Sequence, residues 1–135
     1  MNLREIETSL AHFTLAALIV YSPVETWVSW PHEYGLLNPF YLVDLIAMIL
    51  MLYGAVHSLR ARPRSAPGAL CAAYAWAASN GWRATAGRAF EVLEGQQLDY
   101  GIEELWIVGI ATALAMACLA LSLYLVVRAE ATNKS

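Results

Sequence analysis

Three ionisable residues interrupt long apolar stretches of this sequence: Glu25, Asp44 and Arg83. A charge held in the middle of a lipid bilayer costs about 2.5 to 3.5 kcal/mol on insertion scales, so it is kept where it meets a partner or lines a cavity. Their levels are compared through a helical rise of about 1.5 Å per residue. Counted from Leu10 and from Gly68, Glu25 and Arg83 both stand roughly 22 Å above one face. Asp44, about 8 Å below Pro39 at the other face of a core roughly 30 Å thick, falls at the same height. Facing agrees with depth. Trp76, Asn80, Arg83 and Gly87 share one side of a helix above Ala69 and Ala73, and Asp44, Met48, Met51 and Ala55 share one side of another.

The chemistry of such a set is ion binding or proton exchange: a carboxylate takes up a cation or a proton, and the guanidinium sets its charge state. The expected ligand-binding residues are Glu25, Asp44, Met48, Trp76, Asn80 and Arg83. Pro23, two residues before Glu25, removes a backbone donor and opens the turn beneath it. A purely structural reading uses the same charges: Glu25 and Asp44 neutralise Arg83 and hold three helices in register, and Asp44 near its helix start also favours the helix dipole. Arg88 and Glu91 are expected to snorkel to the interface.

Other reactive residues carry less. His12 and His57 fall at similar depths near helix ends and are the candidate metal or haem ligands, but no carboxylate stands ready to orient either ring. No metal and no cofactor is expected. His32 with Glu33 is a surface alternative for a metal. Cys71 and Cys118 are the two thiols, set in apolar stretches with no C-x-x-C spacing, and read as small packing residues. No phosphate loop, zinc-protease pair or nucleophile elbow occurs.

These residues need elements to position them, and composition says which kind. Of 135 residues 59% are hydrophobic and 14% charged, with a mean hydropathy of +0.50, too few charges to cover a water-soluble surface. The net charge of -3 and scattered Lys and Arg residues leave no footprint for nucleic acid. A helix needs about 20 apolar residues to cross the hydrocarbon core. The sequence predicts four such spans over approximately 10–30, 40–59, 69–90 and 105–127, an all-α integral membrane four-helix bundle in a single domain over 1–135. The first span lacks the basic start and A-x-A site of a cleaved signal peptide.

Arg60, Arg62 and Arg64 put loop 60–68 on the cytoplasmic side, as Arg128 and Lys134 do for the C-terminus. Loops 31–39 and 91–104 contain no Lys or Arg and face outward, which places both termini inside, in a bacterial cytoplasmic membrane. The acidic loop with Glu91, Glu94, Asp99, Glu103 and Glu104 would attract cations through its field. Asn38 with Pro39 starts the second span and Pro63, Pro67 and Gly68 separate it from the third. Trp27, Trp30, Tyr34, Tyr41, Tyr100 and Trp106 form an aromatic belt at the outer interface. Gly109, Ala113, Ala117 and Ala120 make a small-residue stripe, a face for a second copy or a larger complex.

Three functions fit. The leading one is a small polytopic membrane protein that binds, and translocates, a small polar or cationic molecule at the charged site. Its size and the acidic residue in its first span resemble those of small multidrug exporters, in architecture alone. The second is a membrane-embedded isomerase, cyclase or similar proton-transfer enzyme for a lipophilic substrate, with Glu25, Asp44 and Arg83 catalytic. The third is an accessory subunit. A site with no reactive motif is read as binding, so the sequence leans away from an enzyme.

Overall fold

The computed structural model describes residues 2–29, 37–61, 67–99 and 101–133. Within them lie four helices and no strand: α1 (Leu3–Ser29), α2 (Pro39–Arg60), α3 (Gly68–Leu93) and α4 (Ile102–Asn133). The expected helices over 40–59 and 69–90 are found almost at their bounds. The outer two are longer. α1 starts seven residues before 10, because Asn2 and Glu5 build a reciprocal cap: Arg4 N donates to Asn2 Oδ1 at 3.2 Å and Asn2 N donates to Glu5 Oε2 at 2.9 Å. α4 extends past both 105 and 127, with Glu103 and Glu104 in its first turn, where carboxylates complement the helix dipole.

The connection between α3 and α4 shrinks accordingly, from the expected 91–104 to 94–101. α3 ends in a left-handed glycine cap. Gly95 has φ 76°, Gln96 N donates to Glu91 O at 2.9 Å and Gly95 N donates to Val92 O at 3.1 Å. Most of loop 31–39, the middle of loop 60–68, and with them Trp30, His32, Glu33, Tyr34, Arg62, Arg64, Tyr100 and Lys134, lie outside the described residues.

Successive helices run antiparallel. Arg4 Nη2 reaches the Leu59 carbonyl at 3.3 Å at one end of the α1–α2 pair, and Thr26 Oγ1 meets Tyr41 Oη at 3.1 Å at the other. α2 meets α3 where Gly54 lies flat on the backbone of Ala69 and Leu70; a Cβ on Gly54 would stand 3.0 Å from three of their backbone atoms. α3 meets α4 where Gly81 admits Thr112, whose Oγ1 would be 2.7 Å from a Cβ there, and Thr112 in turn shares a 2.9 Å hydrogen bond with Thr85. Small residues let the backbones close in. α1 and α4 touch far less than the helices consecutive in the chain, so the four helices pack in chain order around one core with a thin fourth seam.

The core has two parts. Leu10, Ala11, Ala55, Leu70, Tyr74, Cys118 and Leu125 fill the end that holds the chain termini, and Leu18, Tyr41 and Met48 fill the other. Between them Thr14 and Tyr74 join hydroxyls across the core at 2.6 Å. Tyr41 is therefore a core residue, 7% exposed, and not part of an aromatic belt; its hydroxyl is held by Thr26. Trp27 and Trp106 do stand outward. Much of the remaining apolar surface faces out as well, including Ile19, Val20, Ile49, Ile107 and Val127.

Two helices, over Tyr41–Arg60 and Ile102–Thr132, are long and apolar enough to cross a membrane. Of the small stripe of α4, Gly109 approaches α3, where a Cβ on it would stand 3.9 Å from Thr85 Cγ2. Ala113, Ala117 and Ala120 are exposed, and the face that packs carries Thr112, Cys118, Ser122 and Leu125.

The close approach at Gly54 makes a direct prediction. Gly54→Ala forces backbone apart from backbone and should cost about 1 to 3 kcal/mol. Gly87→Ala, where nothing lies within 4 Å of the new methyl, should leave stability unchanged or slightly raised. Unfolding of the purified protein in mixed micelles compares the two.

Candidate acidic site between the first two helices

Two of the three charges meet. Tyr21 Oη donates to Asp44 Oδ1 at 3.1 Å, binding α1 to α2, and Glu25, one turn beyond Tyr21, lies within hydrogen-bonding reach of both groups. All three side chains are anchored by structure already described. Tyr41 and Thr26 fix the separation of α1 and α2 beyond Glu25, and the Leu18, Tyr41 and Met48 cluster fills the space beneath Asp44. An ionised carboxylate is only an acceptor, so a hydrogen bond between two carboxyl groups needs a proton on one of them. The arrangement can therefore hold one proton between two acids, or exchange it for a cation.

Pro23 sits inside α1, which continues through it. A groove of about 440 Å³, lined by Ser22, Pro23, Thr26 and Trp27, opens on the same turns as Glu25. Met48, expected to bind ligand, is instead buried as a packing residue with Leu18 and Tyr41. Trp76 also reaches this level: its Nε1 donates to the Val43 carbonyl at 3.4 Å, one residue from Asp44. Asn80 turns back on its own helix, Nδ2 donating to the Trp76 carbonyl at 3.1 Å.

Arg83 is not brought to the acids. It is exposed and, among the described residues, forms no ion pair. The reason is rotation about the helix axis. The buried side of α3 carries Leu70, Tyr74 and Ala78, and a residue nine places after Tyr74 stands about two and a half turns on, on the opposite side. Arg88, fourteen places after Tyr74, stands about four turns on and faces inward. Arg88 pairs with Glu104 of α4 through Nε, donates through Nη1 to the Ala84 carbonyl at 3.3 Å, and is the cation whose field reaches Asp44.

The site that forms is thus Tyr21, Glu25 and Asp44, with Arg88 and Glu104 behind it. Spacing alone pointed to Glu25 and Asp44. It gave no signal for Tyr21, which reads as one more interfacial aromatic until its hydroxyl has a partner. For Arg88, the signal is the seven-residue step Gly81 to Arg88, which puts the arginine on the small-residue face of α3.

Metal ligation finds little footing. His12 and His57 are both exposed, and His57 stacks on Tyr53 with ring centroids 5.7 Å apart. Among the described residues no three His, Cys, Asp or Glu side chains gather as a metal site. Cys71 and Cys118 are both free thiols. Compared with protein-family models, with curated proteins and with solved structures, the chain matches none.

The two arginines should respond differently to neutralisation. Arg88→Gln removes the Arg88–Glu104 ion pair and should destabilise by about 1 to 3 kcal/mol, less than the roughly 3 to 5 of a fully buried pair because the arginine side chain is 32% exposed. Arg83→Gln should change stability by no more than about 0.5 kcal/mol. If the Arg88–Glu104 contact holds the helices together, Arg88→Gln combined with Glu104→Gln will be milder than Arg88→Gln alone in the same unfolding assay.

Proposed function

We propose that this chain is a four-span membrane protein, termini inside, that binds and translocates a small cation at Glu25 and Asp44. Three features support the membrane setting. α2 and α4 carry 18-residue windows of mean hydropathy 1.9 and 2.4 of which only 28% and 22% is buried, whereas the core helix of a soluble protein buries most of such a surface. α1 and α3 add exposed Ile19, Val20, Trp27, Trp82 and Phe90, side chains that lipid accommodates and water does not. The connection with Arg60 and the C-terminal end with Arg128 lie at the same end of the bundle, in keeping with a cytoplasmic placement of both.

The charge balance of the site carries the choice of ligand. Glu25 and Asp44 come together between α1 and α2, and Arg88, the guanidinium whose charge bears on Asp44, is already engaged by Glu104. The excess is acidic, so a cation completes the site and an anion is repelled. Binding replaces the shared proton: the cation settles against both carboxylates, the proton leaves, and Tyr21 keeps Asp44 oriented. A low-dielectric surround strengthens the attraction relative to water.

Titration calorimetry of the purified protein with guanidinium, tetramethylammonium and tetraphenylphosphonium tests this. At least one should bind saturably and release a proton. Asp44→Asn should weaken it by about tenfold or more, since a charge-assisted contact is worth roughly 1.5 to 3 kcal/mol. Absence of binding by all three, or equal binding to Asp44→Asn, contradicts the proposal.

A further inference from the structure

The acid pair is one of two carboxyl sites on the inner side of α1. Glu7 is the other. It is 0% exposed, paired with Arg4 Nη1 at 3.2 Å, and Arg4 in turn donates to the Leu59 carbonyl of α2. From Glu7 to Glu25 is eighteen residues, about 27 Å of helix, which is close to the thickness of a hydrocarbon core. The residues between them are not all apolar. Glu7, Thr14 and Tyr21 recur every seven places on one face of α1, and Glu25 follows after four.

The two hydroxyls of this line meet other helices. Thr14, 0% exposed, shares its hydroxyl contact with Tyr74 of α3 at 2.6 Å, a bond in which either oxygen serves as donor. Tyr21 donates to Asp44. At the far end Ser58, the residue before the Leu59 carbonyl that Arg4 holds, is 0% exposed with no hydrogen-bond partner for its Oγ among the described residues. A lone buried hydroxyl costs about 1 to 3 kcal/mol, which a bridging water removes.

We propose that Glu7, the Thr14–Tyr74 hydroxyl pair, and Tyr21 with Glu25 and Asp44 form a line that carries protons from one end of the bundle to the other. Hydroxyls suit this because each accepts a proton on its oxygen while releasing the one it held, then rotates to reset. Stations seven residues apart are about 10.5 Å distant along the axis, too far for direct transfer, so conduction along the line requires water to enter the intervals. No redox change is involved. A proton taken up by the acid pair passes along the line to the Glu7 carboxylate beside Arg4 and from it to solvent, one proton in for one out, and the reverse direction uses the same groups.

This inference rests on the acid pair of the proposed cation site as its outer station, and names the proton as the ion that moves against the cation. Full-length protein is reconstituted in phosphatidylcholine and phosphatidylglycerol vesicles with a trapped pH-sensitive dye, valinomycin and equal potassium clamping the potential, and a pH step is applied. Wild-type protein should equilibrate pH faster than protein-free vesicles. Glu7→Gln and Tyr74→Phe should fall to the protein-free rate, and Glu130→Gln, exposed on the last turns of α4, should match wild type.

Circular dichroism checks that each variant is folded. If Glu7→Gln is not, Tyr74→Phe, which keeps the Arg4–Glu7 pair, decides alone. A wild-type rate equal to that of empty vesicles, or a folded Glu7→Gln or Tyr74→Phe conducting like wild type, overturns the proton line. Guanidinium binding to folded Glu7→Gln keeps the two proposals apart: binding without proton flux leaves the cation site standing, and flux without cation binding leaves the line standing.

Discussion

Two acidic side chains from different helices face each other in a largely apolar bundle, and most of the architecture is arranged so that they can. Neither is tolerated alone in such surroundings, because an ionised carboxylate removed from water needs compensating hydrogen bonds or charge. Tyr21 supplies a donor to Asp44, Glu25 lies beside it, and the charge of Arg88 bears on it from α3. The hydroxyl contact of Thr26 with Tyr41 keeps α1 and α2 from parting beyond Glu25. The meeting of the acids is thereby set by a handful of cross-helix bonds.

Which arginine joins the acids is decided by packing, not by charge. Ala73, Ala78, Gly81 and Thr85 give α3 a face smooth enough for α4 to come close, and Thr112 locks the two by meeting both Gly81 and Thr85. That face must turn inward. The polar side of α3 that seemed suited to a pocket, with Asn80 and Arg83, is carried outward by the same rotation. Arg88 then enters the interior because it sits on the small-residue face.

The four helices were legible in the sequence because apolar runs bounded by Asn38–Pro39 and by Pro67–Gly68 leave few alternatives. Their ends were less so. A start at Leu10 follows from hydropathy and overlooks the cap made by Asn2 and Glu5, and with it the burial of Glu7. Glu25 and Asp44 could be paired by counting rise alone, since both are fixed by nearby helix punctuation. Rotation is harder to read. For a helix rich in alanine, a small side chain is compatible with lipid, with a neighbouring helix or with the core, so the sequence does not say which side of α3 is inward. Tyr41 failed for a related reason: an aromatic ring near a helix end fits a headgroup and a core equally well until Thr26 is found beside its hydroxyl.

The account stands on Glu25 and Asp44 holding one proton between them, and infrared spectroscopy sees that proton directly. Reconstituted protein at neutral pH, with either aspartate or glutamate carbon-13 labelled, should show the carbonyl stretch of one protonated carboxyl group. That band should vanish in both Glu25→Gln and Asp44→Asn, since each removes a member of the pair. A spectrum with every carboxyl ionised, or a protonated band that survives both substitutions, would contradict it.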